Sequence, residues 1–191
     1  ITVARFAEKK KGLDIIQDIC ISLIKNNVNF KWKIIGENSQ LLLQNDFFKS
    51  NNHLFDVIDN IENLDQEYFP HTDLIKHYKC SDLYINLSRI ESFGVTYIES
   101  LASKVPILSF SSKGSNEIVK HKINGILINK DDISNFVYQI CQINKNKNVI
   151  DNMKSNCIDS IQKFDLDTNI KRLIDIYKKL NKRFLYFEKK K

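Results

Sequence analysis

At 191 residues, 42% of them hydrophobic, the chain can hold one globular domain with a proper core and is short for two. Its net charge of +6 and sequence pI near 9.0 admit nucleic acid, an anionic membrane surface or an anionic small ligand as partners, but the lysines are scattered among Asn and Ile rather than striped, which favours plain surface charge. No apolar run approaches a membrane span, and Cys20, Cys80, Cys141 and Cys157 form no Cys-x-x-Cys pair, which excludes a disulfide framework and reads as small buried hydrophobes in a reducing compartment.

The chain starts at Ile1 rather than Met, which suggests a piece of a larger protein. Ile1 to Ala4 is a strand candidate, followed by Arg5 and a polar turn from Ala7 to Gly12. Leu13, Ile16, Cys20, Leu23 and Ile24 then recur at helical spacing. Trp32 to Ile35 is a second strand ended by Gly36. Residues 37–50 predict a helix with Leu41, Leu42 and Phe48 inward. Residues 54–58 are a third strand, and a long polar loop runs to Pro70. A short helix with Leu74 and Tyr78 precedes a central strand at 83–87.

Val95, Ile98 and Ala102 then share one face of a helix. Strands follow at 106–110 and 125–128, with a short helix at 115–119 between them. Pro106 at a strand's first residue costs little. Helical stretches near 132–144, 148–162 and 167–183 close the chain, the last with Ile170, Leu173, Ile174, Tyr177 and Leu180 in register. This alternation predicts an α/β fold, a doubly wound parallel sheet of Rossmann type. The five glycines, at 12, 36, 94, 114 and 125, all fall at junctions. Gly36 and Gly94 follow strands, at the carboxyl edge where such sheets bind ligands.

The most informative stretch is Ser88 to Ala102. Gly94 lets a turn approach its ligand closely, and the free N–H groups of the helix start behind it suit an anion. Glu91 lies in the turn. Glu99 lies beside the helix's apolar face, where a carboxylate needs a partner or a task. Asp165-Leu166-Asp167 reads as a helix cap rather than a metal-binding Asp-x-Asp. His53, His71, His77 and His121 lack metal-ligand spacing. No Gly-x-Gly-x-x-Gly, P-loop or Gly-x-Ser-x-Gly elbow is present.

Glu91-x7-Glu99 enclosing Phe93-Gly94, with a strand before it and Pro106 after it, resembles the signature of retaining glycosyltransferases of the GT-B fold, the glycosyl transferases group 1 family. Ala4-Arg5-Phe6…Lys11-Gly12-Leu13-Asp14 is similar to that family's Gly-Arg…Lys-Gly-x-Asp motif, with one extra residue, so Lys10 is an alternative to Lys11. The likeness spans roughly residues 1–180. It implies one half of a GT-B fold, with residues 1–183 as a nucleotide-sugar donor domain and 184–191 as a basic, aromatic tail.

By the resemblance, Arg5 and Lys11 hold the donor's diphosphate as catalytic cations, and Glu91 contacts the transferred sugar. Gly36, Ser92, Phe93, Gly94, Val95 and Glu99 line the donor site, with Glu99 on the ribose hydroxyls. The departures are Leu87 for Pro, Ser92 for Gly, Lys104 for a helix-capping Gly, and Glu37-Asn38 and Asn60 where the family has glycine.

The implied activity is a retaining, hexosyltransferase-type transfer from a nucleotide diphosphate sugar, with no cofactor and no metal. The acceptor, whether saccharide, lipid-linked or protein, is held by an absent N-terminal domain, so the fragment alone is expected to be inactive. No nucleic acid is expected. The expected location is cytoplasmic, with a peripheral contact at the inner face of the membrane as one reading of the tail. The other reading packs the C-terminal helix on the N-terminal domain and is preferred, leaving Phe184, Leu185 and Phe187 largely exposed or disordered here. A non-catalytic nucleotide-sugar-binding module and a basic nucleic-acid or membrane interaction domain are the alternative functions.

Overall fold

Runs of β-branched and aromatic residues bounded by Gly, Pro and Asn give six short strands: β1 (Thr2–Val3), β2 (Trp32–Ile35), β3 (Phe55–Ile58), β4 (Tyr84–Asn86), β5 (Ile107–Phe110) and β6 (Gly125–Ile128). The structure, a computed structural model, describes residues 1–5, 9–61 and 72–188, with backbone alone at 9 and over 181–188. Phe6, the predicted turn residues Ala7 and Glu8, residues 62–71 of the polar loop and the last three lysines lie outside it, as do the side chains of Phe184, Leu185 and Phe187.

The strands pair in parallel as β1-β2-β3 and β4-β5-β6. The two sets meet where the start of the chain runs beside β4. Ile1 N donates to Leu83 O at 2.8 Å and Ile85 N donates to Ile1 O at 2.8 Å, the slanted pattern of a parallel pair. The order across the molecule is therefore β3-β2-β1-β4-β5-β6, and the winding reverses between β1 and β4. Sheets of this order bind ligands in the crevice outside that point.

Both faces are covered, as an all-parallel sheet requires. Helices α1 (Ile16–Lys25) and α6 (Ile133–Lys145) bury Ile16, Ile19, Leu23, Phe136 and Ile140 against Trp32, Ile34, Leu108 and Phe110. Each such side chain gives about 1.5–3 kcal/mol on burial. On the other face, α3 (Thr72–Lys79), α4 (Val95–Ala102) and α5 (Lys113–Ile118) bring Tyr78, Tyr97, Leu101 and Ile118 onto Ile35, Tyr84 and Ile107. Helix α7 (Asn148–Ile161) serves both, with Ile150 and Met153 on one core and Cys157 on the other. Burial pushes the Cys20 thiol up to about 12 and the Cys157 thiol up to about 11, which suits inert core cysteines. Cys141 is half-buried, and Cys80 is exposed rather than buried.

Several expectations change. The single helix over 37–50 is a 3-10 segment, Ser39–Gln44, then α2 (Asp46–Ser50). Asn45 breaks it, its extended backbone capping α2 as its side chain accepts from Phe47 N at 2.8 Å. Phe48 is buried and Leu42 half-buried, but Leu41 is exposed. Ile24 is also exposed, at the end of α1. The buried side of α4 is Tyr97, Ser100 and Leu101, not Val95, Ile98 and Ala102. Val95 and Ala102 are exposed and Ile98 is half-buried, and Tyr97 and Leu101 take the core instead.

Lys104 adopts the left-handed backbone that a capping glycine would, with φ 60°, and Val105 N closes the helix end on Ser100 O at 2.9 Å. Helix α5 begins earlier than predicted, since Ser112 and Ser115 form a reciprocal cap.

Asp165 does cap the last helix, its Oδ2 accepting from Thr168 N at 2.9 Å and Thr168 Oγ1 at 2.8 Å. Those bonds hold its carboxyl below the usual carboxylate range. That helix, α8 (Leu166–Glu188), outruns its predicted end. Its stripe of Ile170, Leu173, Ile174, Tyr177 and Leu180 has the predicted spacing but is 43–63% exposed. No helix among the described residues is long and apolar enough to cross a membrane.

Candidate functional site

A cleft of about 510 Å³ opens where the winding reverses. It is built from the chain leaving β1, the turn leaving β2 and the loop leaving β4. Val3, Ala4, Arg5, Lys10 and Lys11 come from the first, Gly36 and Glu37 from the second, and Asn86, Ser88, Glu91, Gly94, Val95 and Thr96 from the third. A second cavity of about 510 Å³ lies at the amino ends of the strands, over Ile1, Trp32, Ile85 and Ile140. Its walls are mostly apolar, and its Lys33 and Lys154 face Asp56 and Asp82 at 3.9 and 3.6 Å. The uncapped start of α4 lies at the first cleft.

The loops are fixed by close backbone approaches. Gly12 has φ 73°, and a Cβ there would sit 2.1 Å from Leu87 O, so only glycine lets the first loop lie across the end of β4. Gly114 N donates to Glu91 O at 2.9 Å. A Cβ on Gly114 would come within 2.7 Å of Phe93 N and O. The start of α5 thus props the loop that carries Glu91. Lys11 Nζ donates to Glu91 Oε2 at 2.9 Å, with the two side chains 20% and 17% exposed. An ammonium has three N–H donors, so this contact leaves Lys11 able to bond an incoming anion.

Gly94, with φ 87°, starts α4 and gives it no side-chain cap. Its first turn borders the cleft along Gly94, Val95 and Thr96, and a helix start gathers partial positive charge. Beneath that turn, Tyr78, Tyr84 and Tyr97 are fully buried. Their rings meet edge to face at 5.8 and 6.0 Å. Tyr84 Oη donates to Thr96 Oγ1 at 2.8 Å, and Tyr97 Oη and Ser109 Oγ share a bond of 2.8 Å. Burial pushes all three phenols up. They act as neutral supports that hold the helix start rigid.

Arg5, Lys11, Gly36, Glu91, Gly94 and Val95 thus come together in one cleft, and Lys10 lines it too. Ser92 and Phe93 lie on the same loop but do not line the cleft. Ser92 is exposed, while Phe93 packs on Phe164 with ring centroids 5.5 Å apart. Glu99 also stands back from it. It is 8% exposed, and its Oε2 accepts from Tyr78 Oη at 3.2 Å.

Asn86, Ser88 and Thr96 line the cleft without having been singled out from sequence. Asn86 carried a signal, a polar residue inside an apolar strand. It accepts from Ser88 N at 2.8 Å and donates to Tyr84 Oη at 3.2 Å. Among the described residues no group of three His, Cys, Asp or Glu side chains could hold a metal ion.

Burial raises the Glu99 carboxyl above its ordinary range, and the bond from Tyr78 opposes this. The folded chain then binds this proton more tightly than the unfolded chain does. Ionised Glu99 therefore costs stability, in full above its folded pKa and not at all below its unfolded one. Glu99→Gln is expected to raise the thermal midpoint at neutral pH, with the gain fading as pH falls through the carboxylate range. Equal midpoints at neutral pH would refute the cost.

A family model described as Glycosyl transferases group 1 matches residues 1–146. An uncharacterised glycosyltransferase of Methanocaldococcus jannaschii is 26% identical over 172 residues, covering 90% of this chain and 46% of that protein. The alpha-monoglucosyldiacylglycerol synthase of Acholeplasma laidlawii is 23% identical over 193 residues, covering 96% and 46%. The chain thus spans about half the length of these curated relatives.

Among solved structures, S. aureus TarM, crystallised with fondaparinux, alpha-GlcNAc-glycerol and UDP, superposes with a TM-score of 0.75 at 19% identity, over 92% of this chain and 34% of that one. Anabaena Alr3699/HepE in complex with UDP superposes with a TM-score of 0.70 at 16% identity, over 93% and 48%. The fold is that of one Rossmann-like half of a GT-B glycosyltransferase, and by the match over residues 1–146 the chain belongs to the glycosyl transferases group 1 family.

Proposed function

We propose that this chain binds the donor of a retaining glycosyltransferase, a nucleotide diphosphate sugar, and that an N-terminal half holds the acceptor. The cleft between β1 and β4 carries the reading, because it combines Arg5, Lys10 and Lys11 with the uncapped start of α4. A diphosphate leaving group gains negative charge as the sugar–oxygen bond breaks. Fixed cations and oriented amides that meet this charge lower the barrier more than they tighten ground-state binding.

Arg5 and Lys11 take the phosphates, and Glu91 takes the sugar hydroxyls while holding Lys11 in place. The acceptor proton goes to the donor's own phosphate oxygen, and no metal takes part. The UDP found in the solved relatives favours a uridine donor. The enzyme works in the cytoplasm. The exposed stripe of α8 favours packing on the N-terminal half, with membrane contact as the competing use of that face.

Glu99 stands back from the cleft on Tyr78, and on this reading it turns to the ribose hydroxyls, since a carboxylate's two oxygens can accept from both. Calorimetry on UDP tests this. Glu99→Ala should weaken binding by about 1–3 kcal/mol, the cost of losing bonds to a charged acceptor. Equal affinity for UDP and its 2′,3′-dideoxy analogue would remove Glu99 from the ribose. No UDP binding by the wild-type protein would sink the donor-site reading as a whole.

A further inference from the structure

Three loops at the carboxyl edge of the sheet meet on one side chain outside the cleft. Arg89 Nη1 and Nη2 donate to Asp14 Oδ1 and Oδ2 at 2.8 and 2.9 Å, a bidentate fork. Its Nε donates to Asp131 Oδ1 at 2.6 Å, and its backbone N donates to Lys10 O at 2.8 Å. Asp14 closes the loop that carries Lys10 and Lys11, Arg89 belongs to the loop of Glu91, and Asp131 follows β6 in a left-handed conformation with φ 61°.

From these contacts we infer that Arg89 is a positioning residue, which sets the place of Lys11 against Glu91 and so the cation offered to the donor's diphosphate. The inference rests on the donor-site reading and adds to it the group that holds the site in shape.

Lys11 is fixed from both sides. Before it, the carbonyl of Lys10 is tied to the Arg89 backbone. After it, Gly12 presses on Leu87, and Asp14 is tied to the Arg89 guanidinium. Besides Lys11 with Glu91, the ion pair of Arg89 with Asp14 joins the first loop to the β4 loop. Partly exposed ion pairs add little to global stability. The value of this one is geometric, because a small displacement of a catalytic group costs far more in rate than in folding. The site needs Arg for the purpose. The fork to Asp14 and the separate Nε bond to Asp131 use three donors in one rigid plane, which an ammonium cannot reproduce.

Arg89→Met, Arg89→Lys and Asp131→Asn test this, each alone and in a Lys11→Met background. Asn suits the left-handed backbone at 131, so that variant keeps the fold if Arg89→Met does not. Arg89→Met should lower UDP affinity about fivefold, no more than loss of Lys11 itself, and Asp131→Asn about threefold, with each further loss in the Lys11→Met background under about twofold, as coupled sites require. Arg89→Lys should recover less than half of the loss. The fall in thermal midpoint should be the same in both backgrounds. Equal affinity losses in the two backgrounds, or wild-type affinity in Arg89→Met, overturn the inference.

A second readout needs no UDP. The order parameter of the Lys11 ammonium, from 15N relaxation, should fall in Arg89→Met to its value in Glu91→Gln. An ammonium as ordered as in the wild type overturns the inference. If the wild-type protein binds no UDP, the donor-site reading fails and this measurement alone decides the role of Arg89.

Discussion

Gly12→Ala is expected to cost the fold at least about 3 kcal/mol, the sum of a left-handed backbone for a residue with a Cβ and a backbone clash that no rotamer relieves. The added atom would meet Leu87 O at 2.1 Å, where β4 ends and the Glu91 loop begins. Relief requires the first loop to lift off β4, which would part Lys11 from Glu91. Urea unfolding gives the stability change, and a shift of less than about 1 kcal/mol would show that the loop moves aside cheaply.

Lys11→Ala should lower turnover of the complete enzyme, measured as sugar transfer from a UDP-sugar, by about 10²-fold, in the range for removing one preorganised partner of developing charge. UDP affinity should fall by less than about tenfold, because the charge it meets grows toward the transition state. Lys10→Ala is the comparison, since Lys10 lines the same cleft. Unchanged turnover in the Lys11 variant with a loss in the Lys10 variant would move the role one residue back. Loss confined to KM in both would make the cations ground-state anchors.

Much of this was legible because buried parallel strands are short apolar runs with sharp ends. Trp32 to Ile35, Ile107 to Phe110 and Gly125 to Ile128 fall where the sequence puts strands. The place of the Glu91 loop at the cleft was legible because a glycine and a helix start follow the β4 strand. What failed has physical causes. In an eight-residue helix, Val95-Ile98-Ala102 and Tyr97-Leu101 are both workable stripes, and only packing selects the second. Asn45 competes with the helix through its own side chain, which propensity over 37–50 does not register. Arg89 and Asp14 stand 75 residues apart, so nothing local marks them as partners.

The two-residue strand β1 is the hub of the sheet, with β2 on one flank and β4 on the other. For a chain emerging from the ribosome this means a long wait. The first half can assemble as soon as β3 has been made, but one side of its opening strand keeps bare N–H and C=O groups until Ile85 appears. Contacts this distant in sequence form slowly, and an open strand edge is a template for the wrong neighbour. Co-translational yield, and the need for a chaperone, therefore hinge on the interval between the completion of β3 and the arrival of β4.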